Sequence, residues 1–130
     1  MKVLVTGSRH WDNMTKIANA FNYIEQHYES VTLIIQGGAK GADEQAYLLE
    51  GRWIGSVTFP AHWRKNGRYN PGAGPQRNRL MLDTSKPDLV AAFPLPSSKG
   101  TIDMMNYAKL KGYEVLNFGA PFPNWPTTPC

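Results

Sequence analysis

Residues 31–43, VTLIIQGGAKGAD, decide the fold. Val31 to Ile35 is a β-branched apolar run, the kind buried on both faces of a parallel sheet. Gln36 to Asp43 interrupts it with three glycines in five positions, Gly37, Gly38 and Gly41, which open backbone angles closed to other residues and let the main chain approach a ligand. From Asp43 to about Trp53, the residues Ala46, Leu49 or Glu50, and Trp53 set the faces of a helix. A helix entered in this way presents unpaired amide N–H groups and the positive end of its dipole, which suits a phosphate. No Lys-Ser or Lys-Thr pair follows Gly41, so the loop is not of the Walker type and ATP hydrolysis is not expected.

The same alternation extends in both directions. Upstream, Lys2 to Thr6 (KVLVT) is a short apolar strand ending in Gly7-Ser8-Arg9, and Asp12 or Asn13 can cap a helix reaching about Tyr28, with Ile17, Ala20 or Phe21, and Ile24 at helical spacing. Phe21 and Tyr23 on that helix are read as core and flank. Downstream, Ser56 to Phe59 is a third strand. Pro60 to Gly74 reads as a long loop, and Pro75 as the first residue of a helix over Gln76 to about Thr84. Asp88 to Phe93 is a fourth strand, Thr101 to Leu110 a helix stopped by Gly112, and Tyr113 to Asn117 a fifth strand. Prolines at 121, 123, 126 and 129 exclude regular structure beyond that point. The expected organisation is one Rossmann-like α/β domain over 1–118, a doubly wound parallel sheet of about five strands with helices on both faces, followed by a Pro-rich extension over 119–130.

In that architecture ligands lie outside the carboxyl ends of the strands, near the point where strand order reverses. The loops starting at Gly7, Gly37, Pro60 and Pro94 share that edge. Their chemistry suits an anion. Net charge is +4, and His62, Arg64, Lys65, Arg68, Arg77 and Arg79 fall in a segment, Pro60 to Leu82, that holds no carboxylate. The candidate phosphate or ligand contacts are Gly7, Ser8 and Arg9 after the first strand; Gly37, Gly38, Lys40, Gly41 and Asp43 after the second; and Ser98, Gly100 and Thr101 after the fourth. Asp43 has two readings, a helix cap and a ribose contact. Trp63 and Tyr69, interleaved with cations, either stack on a base or pack the loop against the sheet. Arg79 is read as facing solvent or pairing with a carboxylate.

His10, His27 and His62 form no metal spacing with the lone cysteine, Cys130, so neither a metal nor a cofactor is expected. No apolar run reaches a membrane span and Met1 to Val5 enters a strand pattern at once, so the expected location is cytoplasmic, without a membrane partner.

Five motifs stand in order: VTGSR (5–9), GGAKGADEQA (37–46), GPQRNRLML (74–82), KPDLVAAFP (86–94) and KGTIDM (99–104). Together they resemble the SLOG superfamily of Rossmann-like proteins, and within it the YspA-like group. The superfamily includes phosphoribohydrolases that activate cytokinins, the DNA-processing protein of natural transformation, and proposed sensors of NAD-derived signals. The resemblance implies a nucleotide or nucleotide-derived small molecule as ligand. It also implies a substrate-binding and catalytic role for Arg77; hydrolysis of an N-glycosidic bond would further need a carboxylate, Asp103, Asp43 or Glu44. Against the phosphoribohydrolase motif PGGxGTxxE, however, Ser97 and Ser98 replace the glycines and Met104 stands where the glutamate belongs. Three functions are therefore carried forward: binding or sensing of a nucleotide-derived ligand, nucleotide N-glycosidase activity, and single-stranded DNA binding, in that order. Pairing into a homo-oligomer is implied only by the phosphoribohydrolases.

Overall fold

The computed structural model of the protein describes residues 1–7, 14–37, 55–61, 64–65, 67–96 and 98–119. Ser8, Arg9, Gly38, Lys40, Gly41, Asp43 and Trp63, the helix expected over 43–53 and the end of the chain from 120 lie outside the described residues. The elements are β1 (Lys2–Gly7), α1 (Met14–His27), β2 (Leu33–Gln36), β3 (Gly55–Thr58), β4 (Arg64–Lys65), β5 (Arg68–Tyr69), α2 (Ala73–Ser85), β6 (Leu89–Phe93), α3 (Lys99–Leu110) and β7 (Val115–Asn117).

Five of these strands form one sheet in the order β3-β2-β1-β6-β7, every neighbouring pair parallel. The chain moves outward from β1 to β3, then returns to place β6 on the other side of β1. Strand order therefore reverses between β1 and β6, where Gly7 stands opposite Phe93 at the carboxyl ends. Alternation along the strands divides the core into two layers. Val3, Val5, Leu89, Ala91 and Phe93 pack with Ile17, Phe21 and Ile24 of α1. Leu4, Ile35 and Val90 pack with Met81 and Leu82 of α2 and with Met104 and Ala108 of α3. Helices on both faces complete the doubly wound α/β architecture expected above. Phe21 is fully buried and Tyr23 packs against the α1 layer.

The boundaries differ in instructive ways. Helix α2 begins at Ala73, three residues before the expected Gln76, and Pro75 falls inside its first turn. Proline is tolerated there because the first four N–H groups of a helix need no intrahelical acceptor; the N–H of Gln76 is the one that bonds back, to Gly72 O at 3.0 Å. Helix α3 likewise starts two residues before the expected Thr101, after Ser98. It ends as expected at Gly112, whose φ of 87° allows Gly112 N to bond Lys109 O and Tyr113 N to bond Ala108 O, a Schellman termination. The segment read as a continuous loop contains a small antiparallel ribbon, with Arg64 opposite Tyr69 and Lys65 opposite Arg68. Strands of two residues carry no periodicity by which a sequence could announce them.

At the amino edge of the sheet Asp88 stands just outside β6 and ties two strands together. Its carboxylate accepts from Lys2 N at 2.7 Å and its own N–H donates to Lys2 O at 2.9 Å. Nearby, the Tyr28 hydroxyl donates to the Glu114 carboxylate at 2.7 Å, fastening the end of α1 to the approach of β7. Burial first, and then that carboxylate, push the Tyr28 pKa above the usual phenol range. The folded value thus exceeds the unfolded one. The stabilisation is complete below the unfolded pKa, about 10, and is lost as pH rises through the folded value. We expect Tyr28→Phe to lower stability in urea titrations by up to about 1 kcal/mol at neutral pH. The gap between variant and parent should close above about pH 10; a gap that widens there would exclude this account.

Candidate functional site

Each described helix runs back against the parallel strands, so its first turn lies at the sheet's carboxyl edge. That is how Arg77, early in α2, comes to lie over the ends of β2 and β3. Its Nη1 donates to Gly37 O at 2.8 Å and to Phe59 O at 3.3 Å, while Nε donates to Oδ1 of the buried Asn78 at 2.8 Å. The same two strand ends are joined by Phe59 N donating to Gln36 O at 2.9 Å. The buried Gln36 side chain, 1% exposed, adds a bond from Nε2 to Thr58 Oγ1 at 2.7 Å. A buried primary amide needs such partners to offset its lost hydration. The glycine loop therefore leaves the sheet from an anchored point, and Gly37 itself is buried.

On the other side of the reversal, the loop after β6 closes on itself. Leu95 N donates to Ser98 Oγ at 2.9 Å and Ser98 N to Leu95 O at 3.0 Å. A hydroxyl oxygen accepting in this way still has its own hydrogen to donate. Gly100 is exposed at the start of α3, with open space where a Cβ would stand. Thr101, in the same turn, is only 5% exposed and belongs to the packed side of the helix. An open apolar groove of about 390 Å³ flanks this loop, walled by Pro94, Leu95, Ile102 and Met105 with Asn106 and Asn117 at its rim. Gly119 closes one end; a Cβ there would stand 2.8 Å from Pro94 O, so only glycine permits that approach.

Asp103 does not join Arg77. Its carboxylate lies 3.9 Å from Arg79 Nη2, both side chains about half exposed, and the Arg79 guanidinium covers the Tyr107 ring at 5.2 Å. Residues two apart on a helix point about 200° apart, so the arginine facing α3 is Arg79 while Arg77 turns to the strand ends. The pair of Arg77 and Asp103 considered for catalysis is thus separated between two faces of α2. Arg79 pairs with a carboxylate, one of the two outcomes expected for it. Tyr69, on β5 beside Arg68 and opposite Arg64, is 62% exposed.

Four residues at this edge were given no role by sequence. Gln36, Thr58 and Asn78 form the polar frame around Arg77. Lys16, in the first turn of α1, holds its ammonium 3.5 Å from Gly119 O, and burial lowers its pKa. The signals available were a polar residue closing an apolar strand, VTLIIQ, and a lysine early in the helix that follows a glycine turn.

No family model matches the chain. It is 33% identical over 124 residues to the Gene 61 protein of Mycobacterium phage D29, the match covering 91% of this chain and 96% of that protein. Among solved structures, DNA processing protein A (DprA) of Streptococcus pneumoniae shares the fold with a TM-score of 0.67 at 20% identity. That match covers 95% of this chain and 52% of the other, so the chain spans about half the length of the solved protein.

Proposed function

The chain belongs to the family of the Gene 61 protein of phage D29, and from that premise we propose that it binds a nucleotide-derived ligand by its phosphates at the carboxyl edge of the parallel sheet. The observation carrying this reading is the anchored exit of the glycine loop, Gly37 O held by Arg77, beside the reversal of strand order at Gly7 and Phe93. Open doubly wound sheets bind ligands at such a point. Within the resemblance set out above, we place the chain in the YspA-like group of the SLOG superfamily. Binding needs no carboxylate at the anomeric carbon, whereas N-glycosidic cleavage does; Asp103 faces Arg79, Asp43 and Glu44 lie outside the described residues, and Met104 stands where the phosphoribohydrolase glutamate belongs. Binding or sensing is therefore preferred to hydrolysis.

A second reading, single-stranded DNA, is favoured by one specific feature. Tyr69 is exposed on a ribbon carrying Arg64, Lys65 and Arg68, and an aromatic ring among cations is a stacking platform for bases. The likeness to a protein described as a DNA processing protein adds to it through fold alone.

A thermal-shift panel of AMP, NAD, ADP-ribose and short oligo(dT), with chromatography of each mixture afterwards, separates these readings. A ligand at about a hundred times its Kd adds ~2.7 kcal/mol, roughly 10 °C in Tm for a domain of this size. We expect one nucleotide to stabilise the protein and to be recovered intact. Stabilisation by oligo(dT) alone would transfer the assignment to single-stranded DNA, released base would make the protein a hydrolase, and no shift with any probe would end the proposal.

A further inference from the structure

We infer that Arg77 is a positioning residue, which sets the glycine loop for its ligand, and that it does not contact the phosphate directly. This rests on the carboxyl-edge reading just given. A guanidinium offers a planar fork of fixed geometry, and here it spans three fixed acceptors from three segments of chain: Gly37 O at the mouth of the loop, Phe59 O after β3, and Asn78 Oδ1 on its own helix. Asn78 is 8% exposed, so the fork is aimed from a buried support. The carbonyls of Gly37 and Phe59 lie just beyond the last rung of the β2–β3 ladder, where Phe59 N meets Gln36 O. Without a bridging donor these carbonyls would lie at fraying strand ends. With it, Gly37 leaves the end of β2 from a fixed carbonyl. Preorganisation of this kind raises affinity by removing an ordering cost from binding, without adding a contact.

Arg77→Lys and Arg77→Gln test this in two measurements. Lysine keeps the charge but cannot span the three acceptors. Amide hydrogen exchange is first followed in the ligand-free protein at Phe59, with Ile35 and Val57 as controls for an intact sheet. ADP-ribose and oligo(dT) are then titrated separately. We expect both variants to exchange the Phe59 amide about tenfold faster, the worth of one hydrogen bond from a charged donor, with Ile35 and Val57 unchanged. Binding of whichever probe the parent binds should weaken by a similar factor in both variants, and saturation with that probe should restore protection at Phe59.

Weaker binding with parental exchange at Phe59 would make Arg77 a direct ligand contact and overturn the inference. Faster exchange with unchanged binding would leave it a purely structural residue and overturn it equally. If the parent binds neither probe, the carboxyl-edge reading itself fails, and the exchange rates still decide whether the clamp exists.

Discussion

Phe93→Ala should lower the stability of the protein by about 3–5 kcal/mol, the range for removing a buried aromatic ring. Phe93 ends β6, the strand beside the reversal, and is fully buried. Its ring lies 5.5 Å from that of Phe118 at an interplanar angle of 24°, and Phe118 in turn meets Tyr23 edge-on at 5.9 Å. These rings fill the space between the sheet and α1 on the side of β7. The neighbouring strand contributes Gly7 opposite Phe93, so no side chain there can swing in to fill the cavity. Against a total of roughly 5–15 kcal/mol for a single domain, such a loss is large. Urea titration of Phe93→Ala beside Leu110→Ala, whose residue is 83% exposed, provides the measurement and its control. The control should remain within about 0.5 kcal/mol of the parent. A Phe93 loss below about 1 kcal/mol would mean that the ring is not where the structure places it.

The elements whose pattern depends only on their own sequence were legible. KVLVT and DLVAAF each carry a continuous apolar run, and these became β1 and β6, two of the three interior strands of the sheet. The rows of Ile17, Phe21 and Ile24, and of Met104 and Ala108, follow helical spacing because each helix buries one face against one layer. What escaped depends on partners remote in sequence. An arginine opening a helix beside a glycine-rich loop has the same local signature whether it holds a phosphate or a carbonyl. The carbonyl of Gly37 is forty residues from Arg77. Asp103 was considered as a catalytic group because of its motif neighbours, yet its partner is fixed by how α2 lies beside α3, which no local pattern encodes. The ribbon of β4 and β5 rests on a turn and two residues a side, too short for alternation to show. Lys16 was overlooked for a related reason, since its partner Gly119 belongs to the far end of the described chain.

Tyr69→Ala separates the two classes of ligand more sharply than any change at the glycine loop. If the glycine loop holds a phosphate through its main chain, a small nucleotide and a strand present it the same group, so variants there should weaken both. Tyr69 is 62% exposed on β5, next to Arg68 in sequence and opposite Arg64 in the ribbon register. If a nucleic-acid strand follows this ribbon, removal of the ring should weaken oligo(dT) binding by about 1–3 kcal/mol for each base stacked on it, roughly 5- to 150-fold in Kd. Affinity for ADP-ribose should stay unchanged. Folding stability should move by no more than about 0.5 kcal/mol, because an exposed side chain contributes little to the core. The slope of log Kd against log salt for oligo(dT) should also persist in Tyr69→Ala and flatten in Arg68→Ala, since stacking releases no counterions and phosphate neutralisation does. Equal weakening of both ligands would instead fold Tyr69 into the small-nucleotide site. An unchanged oligo(dT) affinity would remove the ribbon from function altogether and leave the anchored loop to act alone.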